Sequence, residues 1–177
     1  MISRRNFLAL GAAAGASALL SSEAHAAPNA HMERSIHLHN IHTGESLRTV
    51  YWHDGKYQPA ALKQLNHILR DHYCGSTHTM DPHVIDVLSA LQHRLGPKPL
   101  HIVSGYRSPQ TNAMLASLSD GVAQHSLHME GKAVDIRVDG VTVRKLGKLA
   151  KGLHAGGVGM YPSSNFVHVD VGRVRYW

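Results

Sequence analysis

The chain has almost no cysteine. Cys74 is the only one in 177 residues, so no internal disulfide can form, and a lone thiol reads most simply as a small buried hydrophobe. Aromatic residues are also scarce, at 6%. No basic run is interleaved with them, which argues against a nucleic-acid interface. The uncharged stretch from Asn6 to Ser22 is short for a membrane span, and no cysteine follows it to carry a lipid. No internal repeat or linker divides the rest of the chain, so one domain is expected.

What is present begins with Ser3-Arg4-Arg5-Asn6-Phe7-Leu8, a twin-arginine signature. A run of small residues and leucines follows, and Ala24-His25-Ala26 makes a small-x-small cleavage site. The expectation is a twin-arginine signal peptide at 1–26, a flexible segment at 27–34 and one domain at 35–177. The protein is then exported by the twin-arginine machinery to the periplasm or cell envelope, with no stable membrane anchor after cleavage. The net charge of +6 favours an anionic partner, and an envelope polymer fits that better than nucleic acid.

Hydrophobic periodicity outlines the domain. Ser35 to Tyr51 reads as a hairpin turning at Thr43-Gly44-Glu45. Pro59 to His72 reads as a helix, and Asp81-Pro82 caps and opens a second that stops at Gly96-Pro97. Leu100 to Ser104 is a short strand running into Gly105-Tyr106-Arg107, and Ser108-Pro109 opens a third helix. Arg107 therefore lies between a strand end and a helix start, where functional side chains are often placed. Lys132 to Val138 is a strand, Val141 to His154 a fourth helix, and Val158 to Tyr161 and Phe166 to Val171 are strands.

Sixteen histidines are too many for composition to pick a site; spacing and context must do it. A histidine and an aspartate seven apart, taken alone, read as a surface histidine and a carboxylate paired with Arg137. The longer string Ser126-Leu127-His128-Met129-Glu130-Gly131-Lys132-Ala133-Val134-Asp135, preceded by Gly105-Tyr106-Arg107 and followed by His168, points instead to zinc. His128, Asp135 and His168 are the expected ligands, one ion per chain. Two imidazoles and a carboxylate suit zinc, and three protein ligands with one open position are the arrangement of a catalytic site. His168 and Asp170 share a strand face by alternation, and Gly131 lets the His128 loop bend close.

These strings, Ser104-Gly105-Tyr106-Arg107-Ser108, Ser126 to Asp135 and Phe166-Val167-His168-Val169-Asp170, resemble those of the zinc D-alanyl-D-alanine metallopeptidases. That superfamily includes VanX, VanY and the Hedgehog domain. The exported murein endopeptidase K subgroup is the nearer likeness, through Gly157-Val158-Gly159-Met160-Tyr161-Pro162 and the ending Phe166 to Asp170. The resemblance implies an α+β fold with helices packed on a small central antiparallel sheet and zinc on one sheet face. It implies hydrolysis of peptide bonds in peptidoglycan, with Arg107 binding substrate and polarising the scissile carbonyl and Ser126 touching substrate. VanX-like members carry a glutamate base three residues before the last histidine ligand, where this chain has Asn165. Asp170 is the nearest carboxylate on the expected face, as base or as partner of a ligand, with His125 and His154 as weaker candidates for proton transfer. A carboxypeptidase acting on stem peptides and a non-catalytic peptidoglycan-binding domain are the alternatives.

Overall fold

The computed structural model of the protein describes residues 33–119 and 121–177. The signal peptide expected at 1–26 lies outside the described residues, as does the 27–34 segment except for its last two positions. Arg34 is already the first residue of a strand, and its guanidinium lies 2.8 Å from the Asp86 carboxylate. No helix among the described residues is long and apolar enough to cross a membrane.

The chain runs β1 (Arg34–Asn40), β2 (Ser46–His53), β3 (Lys56–Tyr57), α1 (Pro59–Ile68), α2 (Pro82–Leu95), β4 (Leu100–Ser104), α3 (Pro109–Leu118), a 3-10 turn (Leu127–Glu130), β5 (Ala133–Arg137), α4 (Val143–Lys151), β6 (Gly157–Tyr161), β7 (Phe166–Asp170) and β8 (Arg175–Tyr176). The helix starts follow local chemistry. Proline occupies the first turn of α1, α2 and α3, where its missing N–H costs nothing. Asp81, Ser108 and Thr142 each accept a backbone N–H of the first turn that follows.

Helix α1 ends at Ile68, earlier than its apolar spacing suggests. Asn40 Nδ2 donates to the Ile68 carbonyl at 2.9 Å, and Asp71 turns inward, where it accepts the backbone N–H groups of Tyr73 and Ser108, each at 2.9 Å. The chain after Asp71 therefore leaves the helix and runs over the surface. Cys74 sits in that loop and is exposed, not buried as expected. Its sulfur lies 2.6 Å from the Ser76 hydroxyl.

All eight strands form one sheet in the order β3-β2-β1-β4-β5-β7-β6-β8. The central strands β4, β5, β7 and β6 are antiparallel, as expected. The whole sheet is larger and mixed, because β1 joins β4, and β8 joins β6, in parallel. The β1–β4 pairing is possible because the long connection between them carries two helices, and a parallel pair needs such a crossover.

One face of the central sheet carries Val134, Ile136, Val167 and Val169, each at most 1% exposed. Helix α4 packs on β6 and β7, with α2 beside it. Gly147 of α4 makes the approach close, since a Cβ there would lie 2.5 Å from the Met160 sulfur. Burying each such valine or isoleucine is worth roughly 1.5–3 kcal/mol. This apolar face sets the register of β5 against β7, because a one-residue slip would turn the valines outward and Asp135 and His168 into the core. The packing that stabilises one face thus aims the polar side chains of the other.

Candidate metal centre

Across β5 and β7, Asp135 is paired with His168, and across β7 and β6, His168 is paired with Gly159. Alternation puts Asp135, His168 and Asp170 on the face opposite the valines. His128 comes from the 3-10 turn before β5. Ser126 caps that turn by accepting the His128 N–H at 3.3 Å. Gly131 ends it with φ +67, and a Cβ there would lie 2.5 Å from the Thr79 carbonyl oxygen. Only glycine combines that backbone conformation with that close approach.

Three donor atoms meet. His128 Nε2 lies 3.2 Å from His168 Nδ1 and 3.2 Å from Asp135 Oδ1, and His168 Nδ1 lies 2.9 Å from Asp135 Oδ1. Among the described residues this is the one group of three or more such side chains with metal-holding geometry. Hydrogen bonds behind the rings decide which nitrogen faces the centre. His128 Nδ1 donates to the Gly105 carbonyl at 2.7 Å, and His168 Nε2 donates to Asp170 Oδ2 at 3.0 Å. The two remaining nitrogens then present lone pairs toward each other and toward a carboxylate oxygen. Three acceptors at this spacing repel unless a cation or proton lies among them. Ligands about 2.0–2.1 Å from a tetrahedral zinc sit roughly 3.3 Å apart, so the residues present fit a zinc ion.

Electrostatics agree with the geometry. Burial works against the Asp135 carboxylate, but His128 and His168 beside it hold it well below the usual carboxylate range. Burial lowers His128. Burial also works against a charged His168, but hydrogen bonds to Asp135 and Asp170 outweigh it and raise the imidazole.

Arg107 supports the second oxygen of that carboxylate. Its Nη2 donates to Asp135 Oδ2 and its Nε donates to Ser104 Oγ at 2.8 Å, while its backbone N–H donates to the His128 carbonyl at 3.2 Å. Arg107 thus ties the two ligand-bearing segments together, and among the described residues Nη1 has no partner. Asp170 lies behind His168, away from the donor atoms. Its Oδ1 accepts from the Gly157 and Gly172 N–H groups and from Arg175 Nη1, and its Oδ2 accepts from His168 Nε2 and from Arg175 Nη2 at 2.7 Å. Burial works against that charge too, yet His168 and Arg175 leave Asp170 well below its ordinary value.

Comparison with known proteins places the chain in a family. Residues 28–177 match the family described as Peptidoglycan L,D-endopeptidase MepK. The Peptidoglycan L,D-endopeptidase MepK of Escherichia coli (strain K12) is 41% identical over 175 residues, covering 98% of this chain and 96% of the relative. The Probable peptidoglycan L,D-endopeptidase MepK of Haemophilus influenzae is 39% identical over 176 residues, covering 98% of this chain and 95% of the relative. The chain belongs to the MepK family.

In this MepK-family chain the three donors open onto a cavity of about 330 Å³, lined also by Arg107, Ser126, Tyr161, Phe166, Arg175 and Trp177. Ser126, expected to touch substrate, is therefore both a cavity residue and the cap of the His128 turn. His125 lines the same cavity. His154 hydrogen-bonds the Tyr176 hydroxyl at 3.1 Å instead. Asn165 is exposed at the turn between β6 and β7, with φ +52. Glu130 points outward and pairs with Lys132 at 2.8 Å. Sequence reasoning did not single out Arg175 or Trp177. A charge and an aromatic at the end of a chain carry no spacing signal, and their roles come from β8 pairing with β6.

Proposed function

We propose that this protein is a zinc-dependent peptidoglycan endopeptidase that cuts an L,D peptide bond in murein cross-links. His128, Asp135 and His168 are the residues that hold the metal. The observation that carries the reading is the convergence of His128 Nε2, Asp135 Oδ1 and His168 Nδ1 at 2.9–3.2 Å, with both imidazole tautomers set from behind. The names of its relatives supply the substrate class.

A zinc ion held by His128, Asp135 and His168 would supply the Lewis acidity needed for water activation and carbonyl polarisation. The chain's own residues do the rest. Arg107 keeps Asp135 oriented through one edge of its guanidinium and offers Nη1 to the carbonyl oxygen as charge develops there. Asp170 positions His168; its two oxygens already accept five hydrogen bonds, so the orienting role suits it better than that of proton acceptor. His125, in the cavity wall outside the donor set, is left for proton transfer. Ser126 and the cavity wall receive the peptide.

The same geometry favours internal over terminal cleavage. A carboxypeptidase needs a cation for the substrate's terminal carboxylate. Of the two arginines lining this cavity, Arg175 is paired with Asp170 through both Nη atoms, and Arg107, paired with Asp135 through Nη2, keeps only Nη1, the donor assigned to the scissile carbonyl. Action in the cell envelope follows from such a substrate, and export by the twin-arginine route is part of the proposal. The test uses the protein purified after export. It should carry one zinc per chain and release new muropeptides from sacculi; chelation should stop this, and added zinc should restore it. A zinc-free preparation cutting at the full rate, or His128→Ala cutting like wild type, would sink the reading.

A further inference from the structure

The far wall of the cavity is built from the end of the chain. Trp177 extends β8: its N–H donates to the Val158 carbonyl at 3.2 Å, and its carbonyl accepts the Met160 N–H at 3.0 Å. This lays the indole over Gly159, the residue paired with His168. A Cβ at Gly159 would lie 2.5–2.7 Å from three atoms of the indole, so the ring occupies space that only glycine leaves open. The indole packs against His168 with ring centroids 5.4 Å apart. The Arg175 guanidinium also lies over the indole, 5.0 Å from the ring centre, and is itself tied to Asp170.

Two residues along β6 from Gly159, Tyr161 projects from the same sheet face. Its ring stacks on Phe166, with centroids 4.5 Å apart, and Trp177 Nε1 donates to its hydroxyl oxygen at 2.8 Å. An indole N–H donates and never accepts. The phenol is therefore fixed as acceptor toward Trp177, and its own O–H must be given elsewhere. Among the described residues nothing takes it, and the cavity lies in front of it.

We infer that Tyr161 is a catalytic hydrogen-bond donor to the peptide substrate, giving its O–H to the scissile carbonyl oxygen as that oxygen gains charge, and that Trp177 is the positioning residue that aims it. The inference rests on the peptidase reading above. A chain of contacts runs from Asp170 through Arg175 and Trp177 to Tyr161. One buried carboxylate thereby supports both a metal ligand and the opposite donor. Accepting the indole N–H polarises the phenol and makes it the better donor. Arg107 Nη1 and Tyr161 Oη would then approach the developing charge from two sides of the cavity.

The experiment is steady-state cleavage of a purified cross-linked muropeptide dimer, with a phosphinate analogue of the scissile peptide titrated in parallel. Tyr161→Phe keeps the ring and its stacking. It should lower kcat about 10- to 100-fold with KM little changed, and weaken phosphinate binding by a similar factor. Zinc content and melting temperature should match wild type. Trp177→Phe keeps an aromatic wall but loses the N–H, and should reproduce part of the kcat loss, roughly 3- to 10-fold. A Tyr161→Phe enzyme with kcat within about twofold of wild type, or with a change in KM alone, overturns the inference. Wild-type protein that leaves the dimer intact refutes the peptidase reading instead, so the two failures are distinct.

Discussion

Replacing Asp170 by asparagine separates the two roles its position allows. Both carboxylate oxygens act only as acceptors: Oδ1 takes three donors and Oδ2 two. An asparagine must turn its NH₂ toward one of these sets. If the NH₂ faces Gly157, Gly172 and Arg175, donors meet donors in a fully buried place. If it faces His168, the imidazole must accept at Nε2 and carry its proton on Nδ1, the atom that points at Asp135 and His128. Either outcome leaves buried polar groups unpaired, at about 1–3 kcal/mol each, and removes the negative charge that pairs with Arg175. A total loss of about 2–4 kcal/mol corresponds to roughly 5–15 °C in melting temperature for a domain of this size. Losing the orienting hydrogen bond to a ligand should weaken zinc binding about 10- to 100-fold, with activity at saturating zinc falling by a similar factor. The assays are zinc titration against a competing chelator, thermal melting with and without zinc, and muropeptide release. Wild-type zinc affinity and melting with activity down more than about 10³-fold would refute the orienting role, because that pattern belongs to a lost proton acceptor.

Two further outcomes follow from neighbouring contacts. Arg107→Lys cannot span Ser104 and Asp135 while still offering a free donor, so kcat/KM should fall about 10²- to 10³-fold with zinc content largely retained; an active Lys variant would remove Arg107 from the mechanism. Asp71 is 1% exposed. Burial works against its charge, but hydrogen bonds from Thr111 and from the Ser108 and Tyr73 backbone hold it well below its ordinary value. With the folded value depressed, its stabilisation is fully present above the unfolded value near 4 and is lost as pH falls toward the folded one. Asp71→Asn should therefore melt below wild type at pH 7, and the gap should narrow below about pH 4. A gap that stays constant across that window would show that the carboxylate charge is not what stabilises the turn.

Much of the fold is written locally. Asp81-Pro82 and Ser108-Pro109 carry both the cap and the first-turn proline of their helices, and alternation along Phe166 to Asp170 separates a valine face from a polar one. Those signals act within a few residues, so the α+β elements could be read from the sequence, whereas the candidate donors His128, Asp135 and His168 needed three separate strings taken together. Residues far apart in the chain decided the rest. Asn40 and Ser108 end α1 early and leave Cys74 outside. The Gly105 carbonyl and Asp170 choose which nitrogen each histidine turns to the centre. Arg107 meets Asp135 only because β4 pairs with β5, and Trp177 reaches His168 only because β8 lies beside β6. A sequence motif names the atoms that can hold a cation. Which lone pairs face it, and which side chains stand behind or opposite them, depend on sheet register, and register is set by the burial of valines and isoleucines on the other face.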